Sequence, residues 1–575
     1  MTTLEMSTAS SASSALRHRI LPILFFFSGL PALIYQLTWQ RSLFRIFGVN
    51  TESVTIVVTA FMLGLGLGSL VGGLITRRRA VQPLLLLGII ETLTAAFGLA
   101  SLWIFDRVGD LTLDWSPPAI AAVNLMLVLI PTLLMGATLP ILVSHLVRTS
   151  GQTARSVGLL YYVNTLGASA ACLLCAAFIF PYLGMHLAVY IAAGINVAVA
   201  GSALAAYYRR SKVDDIVVVP EGRRIAQPVL SMPFAMLLAA LGGFVSLSYE
   251  IFLFRAASFT SGSSSLAFAI VLSGFLAGVA GGAYNAGNVC VKLSPADAIG
   301  VTARSLIWAN VVGAAFLPIV TQLAGLSFGA IPLMLAATYL IARQWGALLP
   351  YLSHFAIAAD ECAGMQTALL YSANIAGCAA GAVITGFVLT NCLGLQQISI
   401  LLLALGTVCA LLLIFRSATV AGVRGRAVAV AVAVLFAGTI IAPPLSGHLF
   451  ENLQNRAISD HAFADVVENR SGVITVDTDG TVYGNGMYDG RFNTSLKTDR
   501  NGIIRPYALS LFSPGPARRA DNRALVRLLG AGHCQQPIGR KAHHRRDQSG
   551  LRPADCGAAR SAVAAVQSES HDHRG

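Results

Sequence analysis

Thirty-nine Lys and Arg against 26 Asp and Glu leave a net charge of +13 over 575 residues, yet only 11% of the chain is charged. That is less than half of the ~25% usual in a soluble protein. Hydrophobic residues make up 55% and the mean hydropathy is +0.70, more apolar surface than a soluble fold of this length buries. A disordered chain and a single soluble domain are therefore both excluded, which leaves a polytopic membrane protein. The pI near 9.5 then reflects cationic cytoplasmic loops rather than a nucleic-acid surface. Five of the nine cysteines (Cys172, Cys175, Cys290, Cys378, Cys409) lie inside apolar runs without ligand-like spacing and are read as core residues.

In chain order, a tail over 1–19 precedes apolar runs near 20–38, 54–76, 82–105, 119–146, 157–180 and 185–208. A basic linker over 211–231 follows. Further runs lie near 232–254, 264–288, 303–323, 328–352, 366–390, 395–415 and 427–445, the last interrupted by Pro443 and Pro444. Each of these thirteen runs is long enough for a hydrocarbon core of ~30 Å. The first is no cleavable signal, because Trp39-Gln40-Arg41 follows it without a small-residue cleavage site. Basic groups at Arg17/Arg19, Arg77–Arg79, Arg148/Arg155, Arg209/Arg210/Lys212 and Arg416/Arg424/Arg426 fall on one side of the membrane. Asp106, Asp110 and Asp114 fall on the other. The positive-inside rule places the N-terminus in the cytoplasm, and the membrane is expected to be a bacterial inner membrane.

The chain repeats itself. At an offset of 214, Gly29, Leu33, Tyr35, Arg41, Gly48, Phe61 and Gly64 meet Gly243, Leu247, Tyr249, Arg255, Gly262, Phe275 and Gly278. At 210, Gly136-Ala137-x-Leu139-Pro140-x-Leu142 meets Gly346-Ala347-x-Leu349-Pro350-x-Leu352, and Leu160-Tyr161-x-x-Asn164-x-x-Gly167 meets Leu370-Tyr371-x-x-Asn374-x-x-Gly377. Six runs separate each pair, so the halves share one topology. The reading is an all-α domain of about 12–13 transmembrane helices built as a parallel six-plus-six repeat, over 20–210 and 232–416, as in major facilitator transporters. Glycines at 64, 66, 68, 72 and 73, and at 274, 278, 281 and 282, are read as helix-packing positions.

An ionisable group in hydrocarbon costs about 2.5–3.5 kcal/mol even on lenient scales, so intramembrane polar residues are the informative ones. Glu91 and Glu250 are the clearest, and Asn164 and Asn374 sit at corresponding repeat positions; Arg304 and Arg343 are read as snorkelling from span ends. Two readings stand side by side. In one, these residues line a central polar cavity for a polyamine or other small cation, with Glu250 or Glu91 as counter-charge. In the other, they glue helices together.

Beyond residue 446 the composition changes. Val473–Val476, Asp479-Gly480 and Thr481–Tyr483 read as a β-hairpin, and Asp489-Gly490 as a second turn. Several stretches resemble the membrane-fused spermidine synthase-like proteins, which are polyamine aminopropyltransferase-like. They are Ser28-Gly29-x-x-Ala32-Leu33-x-Tyr35-Gln36-x-x-Trp39-x-Arg41, Ala60–Ser69, Glu468–Val476, Tyr483–Asn493 and Arg505–Leu511. The resemblance implies that 446–516 is a hairpin lid segment ahead of a nucleotide-binding fold. It makes Asp489, Asn493 and Tyr507 substrate-side candidates, although Asn493 stands where a Gln is usual. The family reaction it implies is aminopropyl transfer from decarboxylated S-adenosylmethionine to an amine.

A Rossmann-like, methyltransferase-type domain is then expected but missing. Residues 517–575 carry 11 Lys and Arg, 5 Asp and Glu and 5 of the 11 His, without strand or helix period. Back-translated with chosen codons and read one base later, Arg540–Gly550 becomes Gly-Lys-Leu-Thr-Ile-Val-Glu-Ile-Asn-Pro-Gly, a strand ending in an acid. The expectation is a C-terminally truncated or frameshifted chain with an out-of-frame basic tail; the alternative is a polybasic tail for anionic lipid. No catalytic residue, cofactor or metal site is assigned, since His543-His544 and His571-x-His573 lack further ligands. The functional readings are therefore a catalytically incompetent aminopropyltransferase-like membrane protein, a cation transporter, or an inactive gene product. Thirteen spans also place the hairpin outside the cytoplasm, away from that co-substrate, unless 427–445 is re-entrant or one span is miscounted.

Overall fold

The computed structural model describes residues 3–47, 51–77, 82–112, 115–208, 228–260, 265–323, 330–360, 362–416, 421–454 and 462–491. Helices occupy all thirteen apolar runs. In the first half they are α1 (Thr3–Phe47), α2 (Thr51–Thr76), α3 (Pro83–Leu111), α4 (Pro117–Ser150), α5 (Thr153–Leu174) and α6 (Gly184–Tyr208). The second half holds α7 (Met232–Thr260), α8 (Ser265–Lys292), α9 (Pro295–Leu323), α10 (Ala330–Gly346), α11 (Leu348–Ala356), α12 (Ala363–Val383), α13 (Thr390–Cys392) and α14 (Leu395–Arg416). After it come α15 (Ala421–Ile440), α16 (Ala442–Leu445) and α17 (Leu449–Leu453).

Among the described residues, ten helical stretches are long and apolar enough to cross a membrane, fewer than the thirteen runs. Two of the differences have local causes. A π-helical segment, Cys175–Leu183, joins α5 to α6 with Pro181 inside it, so both runs belong to one helical stretch, Thr153–Tyr208. The chain turns at Gly184, whose φ of +76° suits a residue without a Cβ. The run at 328–352 divides at Ala347 into pieces of 17 and 9 residues; Pro350 has no N–H with which to continue the ladder across the break. At the N-terminus, α1 reaches back to Thr3, through the segment read as a tail.

Packing follows the repeat. α2 packs on α4 as α8 packs on α10, α1 on α5 as α7 on α12, and α3 on α6 as α9 on α14. The glycines that permit this correspond as well. A Cβ at Gly29 would meet the Asn164 carbonyl, and one at Gly243 the Asn374 carbonyl. Gly98 lies against the Tyr35 hydroxyl as Gly313 lies against that of Tyr249. Gly68 approaches the Leu133 carbonyl as Gly282 approaches that of Arg343, so these stripes serve helix packing. The halves meet through α2 against α12 and α5 against α8.

The helix α15 lies outside the two repeats, against α14 and α9. Beyond its end, the Leu445 carbonyl accepts from Gln322 Nε2 at 3.0 Å, at the far end of α9. The Ser446 carbonyl accepts from Gln396 Nε2 at 2.9 Å, at the start of α14. The chain therefore returns alongside α14, from Arg416 back to the level of Leu395.

The C-terminal strands are β1 (Asp465–Asn469), β2 (Gly472–Val476), β3 (Thr481–Gly484) and β4 (Met487–Arg491), a four-stranded sheet in that order. The Asp479-Gly480 turn is present, with Gly480 at φ +81°. The Asp489-Gly490 turn is corrected: that dipeptide is extended within β4. The second turn is Asn485-Gly486, where φ is +49° and +80°, the paired positive values of a type I′ hairpin. By contacts the chain divides into two units, Met1–Thr475 with Gly484–Met487, and Val476–Tyr483 with Tyr488–Gly575. In the larger, the Val473 N–H donates to Asn485 Oδ1 at 2.9 Å. In the smaller, Arg491 donates to the Asp479 carbonyl at 2.8 Å and pairs with its carboxylate at 3.3 Å.

Candidate functional site

Between the two halves lies a cavity of ≈ 190 Å³, lined by α1, α2, α3, α4, α5, α6, α7, α8, α10, α11 and α12. Glu91, Glu250, Asn164 and Asn374, drawn from four different helices, all line it. The repeat explains the convergence. Equivalent faces of the two halves turn toward the pseudo-two-fold axis, so polar residues on those faces arrive at one place.

Their environments differ. Glu91 is 3% exposed and accepts one hydrogen bond on each oxygen, from Ser28 Oγ and from Asn196 Nδ2, the latter at 2.7 Å. These bonds tie α3 to α1 and to α6. Glu250 is 6% exposed, and among the described residues no hydrogen bond or ion pair reaches its carboxylate. Asn374 donates to the Ala239 carbonyl at 3.1 Å, within the second half. Asn164 stands against Gly29 of α1. Arg304 is exposed and Arg343 half-buried, and neither lines the cavity.

Among the described residues the lining includes two carboxylates and no Lys, Arg or His. Phe25, Phe61, Phe275, Tyr161, Tyr371 and Trp345 supply aromatic surface. Such a cavity attracts a cation twice over, through charge and through ring faces, and repels an anion. Several lining residues were not read from the sequence as site candidates: Ser28, Asn196, the two tyrosines and Gln36. The repeat carries the signal for some of them. The offset of 214 that aligns Tyr35 with Tyr249 also aligns Gln36 with Glu250, and both line the cavity.

Asp489 lies exposed on β4; Asn493 and Tyr507 lie outside the described residues. A second polar cluster, in the larger unit, involves Arg255 at the end of α7. The side chain is 4% exposed, donates to the Gly472 carbonyl at 3.1 Å and stands 3.9 Å from the Glu468 carboxylate. Glu468 also accepts from the Leu395 N–H at 2.9 Å, at the start of α14. Burial pushes the Glu468 carboxyl above its usual range, against the opposing pull of Arg255 and the Leu395 N–H. The repeat counterpart, Arg41, instead lies 3.8 Å over the Phe180 ring. One repeat position therefore stacks on an aromatic ring in the first half and holds β1 and β2 in the second.

Among the described residues, no group of three or more His, Cys, Asp or Glu is placed to hold a metal ion. No family model and no curated relative matches the chain. Among solved structures it is similar to the outward conformation of the major facilitator transporter FucP, at TM-score 0.47 and 14% identity, over 71% of this chain and 100% of that one. It is also similar to the nucleoside transporter NupG, at TM-score 0.44 and 12% identity, over 69% and 98% of the two chains. A bacterial homologue of the iron transporter ferroportin, in its outward-facing state, gives TM-score 0.44 and 10% identity over 69% and 99%.

Proposed function

We propose that this chain is a secondary transporter of major-facilitator type that carries a small organic cation, a polyamine or another amine, through the cavity between its halves. The observation that supports this reading is the cavity lining, with Glu91 and Glu250 and no basic side chain. A carboxylate at membrane depth costs several kcal/mol unless a partner offsets it, and a cationic ligand is such a partner. The basic clusters place the N-terminus in the cytoplasm of a bacterial inner membrane. With α15 crossing, the strands then lie on the opposite side.

The test is uptake of labelled spermidine and butylamine into vesicles holding the purified full chain. Glu250→Gln and Glu91→Gln are compared with the parent. Concentrative uptake that falls at least tenfold in Glu250→Gln is expected; uptake that survives both substitutions would remove the carboxylates from the site.

A second reading keeps the aminopropyltransferase resemblance, favoured by the hairpin that stands at 472–484 where that resemblance expects a lid. On this reading the chain as it stands does not turn over. Release of methylthioadenosine from decarboxylated S-adenosylmethionine by the purified chain would show the opposite.

A further inference from the structure

The two carboxylates of the cavity are not equivalent, and the repeat shows why. Glu250 aligns with Gln36 at the same offset of 214 that pairs Tyr249 with Tyr35 and Arg255 with Arg41. Gln36 is 5% exposed and Glu250 6%, and both line the cavity from equivalent places on α1 and α7. Among the described residues neither side chain has a hydrogen-bond partner. The site therefore presents two similarly buried positions related by the repeat, one neutral and one acidic.

Glu91 lies off that relationship. Both its oxygens are engaged by Ser28 and Asn196, which join α1, α3 and α6. The second half joins α9 to α14 without charge, through Asn310 Nδ2 donating to Thr407 Oγ1 at 3.4 Å. Glu91 thus has a helix-joining role whose counterpart is neutral, whereas Glu250 has, among the described residues, no partner to give up when a ligand arrives.

We infer that Glu250 is the single counter-charge of the site and Gln36 its neutral opposite. The ligand is then a cation with one charged amine at the Glu250 seat and an uncharged, hydrogen-bonding end at the Gln36 seat. This rests on the transporter reading above and narrows its substrate class from amines in general to single-headed ones. A diamine would place its second ammonium against the Gln36 amide, while the remaining carboxylate, Glu91, already has both oxygens engaged by Ser28 and Asn196.

The test measures affinities of 4-amino-1-butanol and 1,4-diaminobutane for the purified full chain by titration calorimetry. The parent is expected to prefer the amino alcohol. Glu250→Gln should weaken it at least tenfold, and the relocated charge of Gln36→Glu/Glu250→Gln should restore it to within about threefold. Gln36→Glu alone, which adds a carboxylate to the cavity lining, should reverse the preference toward the diamine by at least tenfold. Melting temperature and size-exclusion profile establish that each variant is folded. Failure of the relocated charge to restore binding in a folded protein overturns the inference, as does a loss in Glu91→Gln equal to that in Glu250→Gln. A parent that binds neither amine overturns the transporter reading itself, and the inference with it.

Discussion

Tyr161 and Tyr371, 210 residues apart, meet edge to face with ring centroids 6.3 Å apart and planes at 74°. The separation equals the repeat offset, so the pseudo-two-fold axis passes between two copies of the same side chain. Both rings line the cavity, on α5 of one half and α12 of the other. They are a direct link between the two halves. Edge-to-face pairs contribute about 0.5–1.5 kcal/mol beyond their buried area. A double-mutant cycle of Tyr161→Leu and Tyr371→Leu, read as thermal unfolding in detergent, should show coupling of that size. Additive effects would mean that the contact is incidental.

Gly29 and Gly243 are predicted to be equally intolerant. A Cβ at either position would press on the backbone carbonyl of the asparagine opposite, Asn164 or Asn374, which cannot swing aside as a side chain does. Gly29→Ala and Gly243→Ala should each lower stability by about 1–3 kcal/mol, the usual cost of overpacking. Ala at Gly194, where an added Cβ meets nothing, should be nearly neutral in the same unfolding assay.

The hairpin depends on Gly486. Its φ of +80° disfavours a Cβ, and one placed there would meet the Phe259 carbonyl of α7. Gly486→Ala should cost at least the roughly 1–2 kcal/mol of a left-handed residue. Hydrogen exchange should rise in Gly472–Thr475 and stay unchanged in α3 and α6. Unchanged exchange in those strand residues would refute it.

Glu468 makes the anchoring of β1 sensitive to pH. Its carboxyl is raised on folding, so the folded chain holds more protons than the unfolded one between the ordinary carboxylate value and the raised value. Stability of this contact therefore falls as pH rises through that window. Protease sensitivity of the strands should increase as pH rises from the ordinary carboxylate range, and Glu468→Gln, which keeps an acceptor for the Leu395 N–H, should flatten the profile. The same slope in Glu468→Gln would assign the effect to another group. Arg255→Ala should loosen the strands at every pH, because the Gly472 carbonyl loses its donor.

Membrane embedding, the helical runs and the six-plus-six repeat were all legible in the sequence. They depend on composition, run length and constant offsets, which are properties of position along the chain. The four intramembrane polar residues were legible for a related reason, since charge or amide in an apolar run stands out by its cost. Their convergence on one cavity was not, because no single helix reveals which neighbours its face will meet. Nor did run length separate Glu91, bonded by Ser28 and Asn196, from Glu250, which has no hydrogen-bond partner among the described residues; that distinction arises only when α1, α3 and α6 pack together. Turn chemistry misled at Asp489-Gly490, where the dipeptide permits a turn but Asn485-Gly486 closes the hairpin first. The return of α15 alongside α14 and the capture of β1 and β2 by Arg255 rest on contacts between residues 50 to 220 positions apart, and only the tertiary structure decided them.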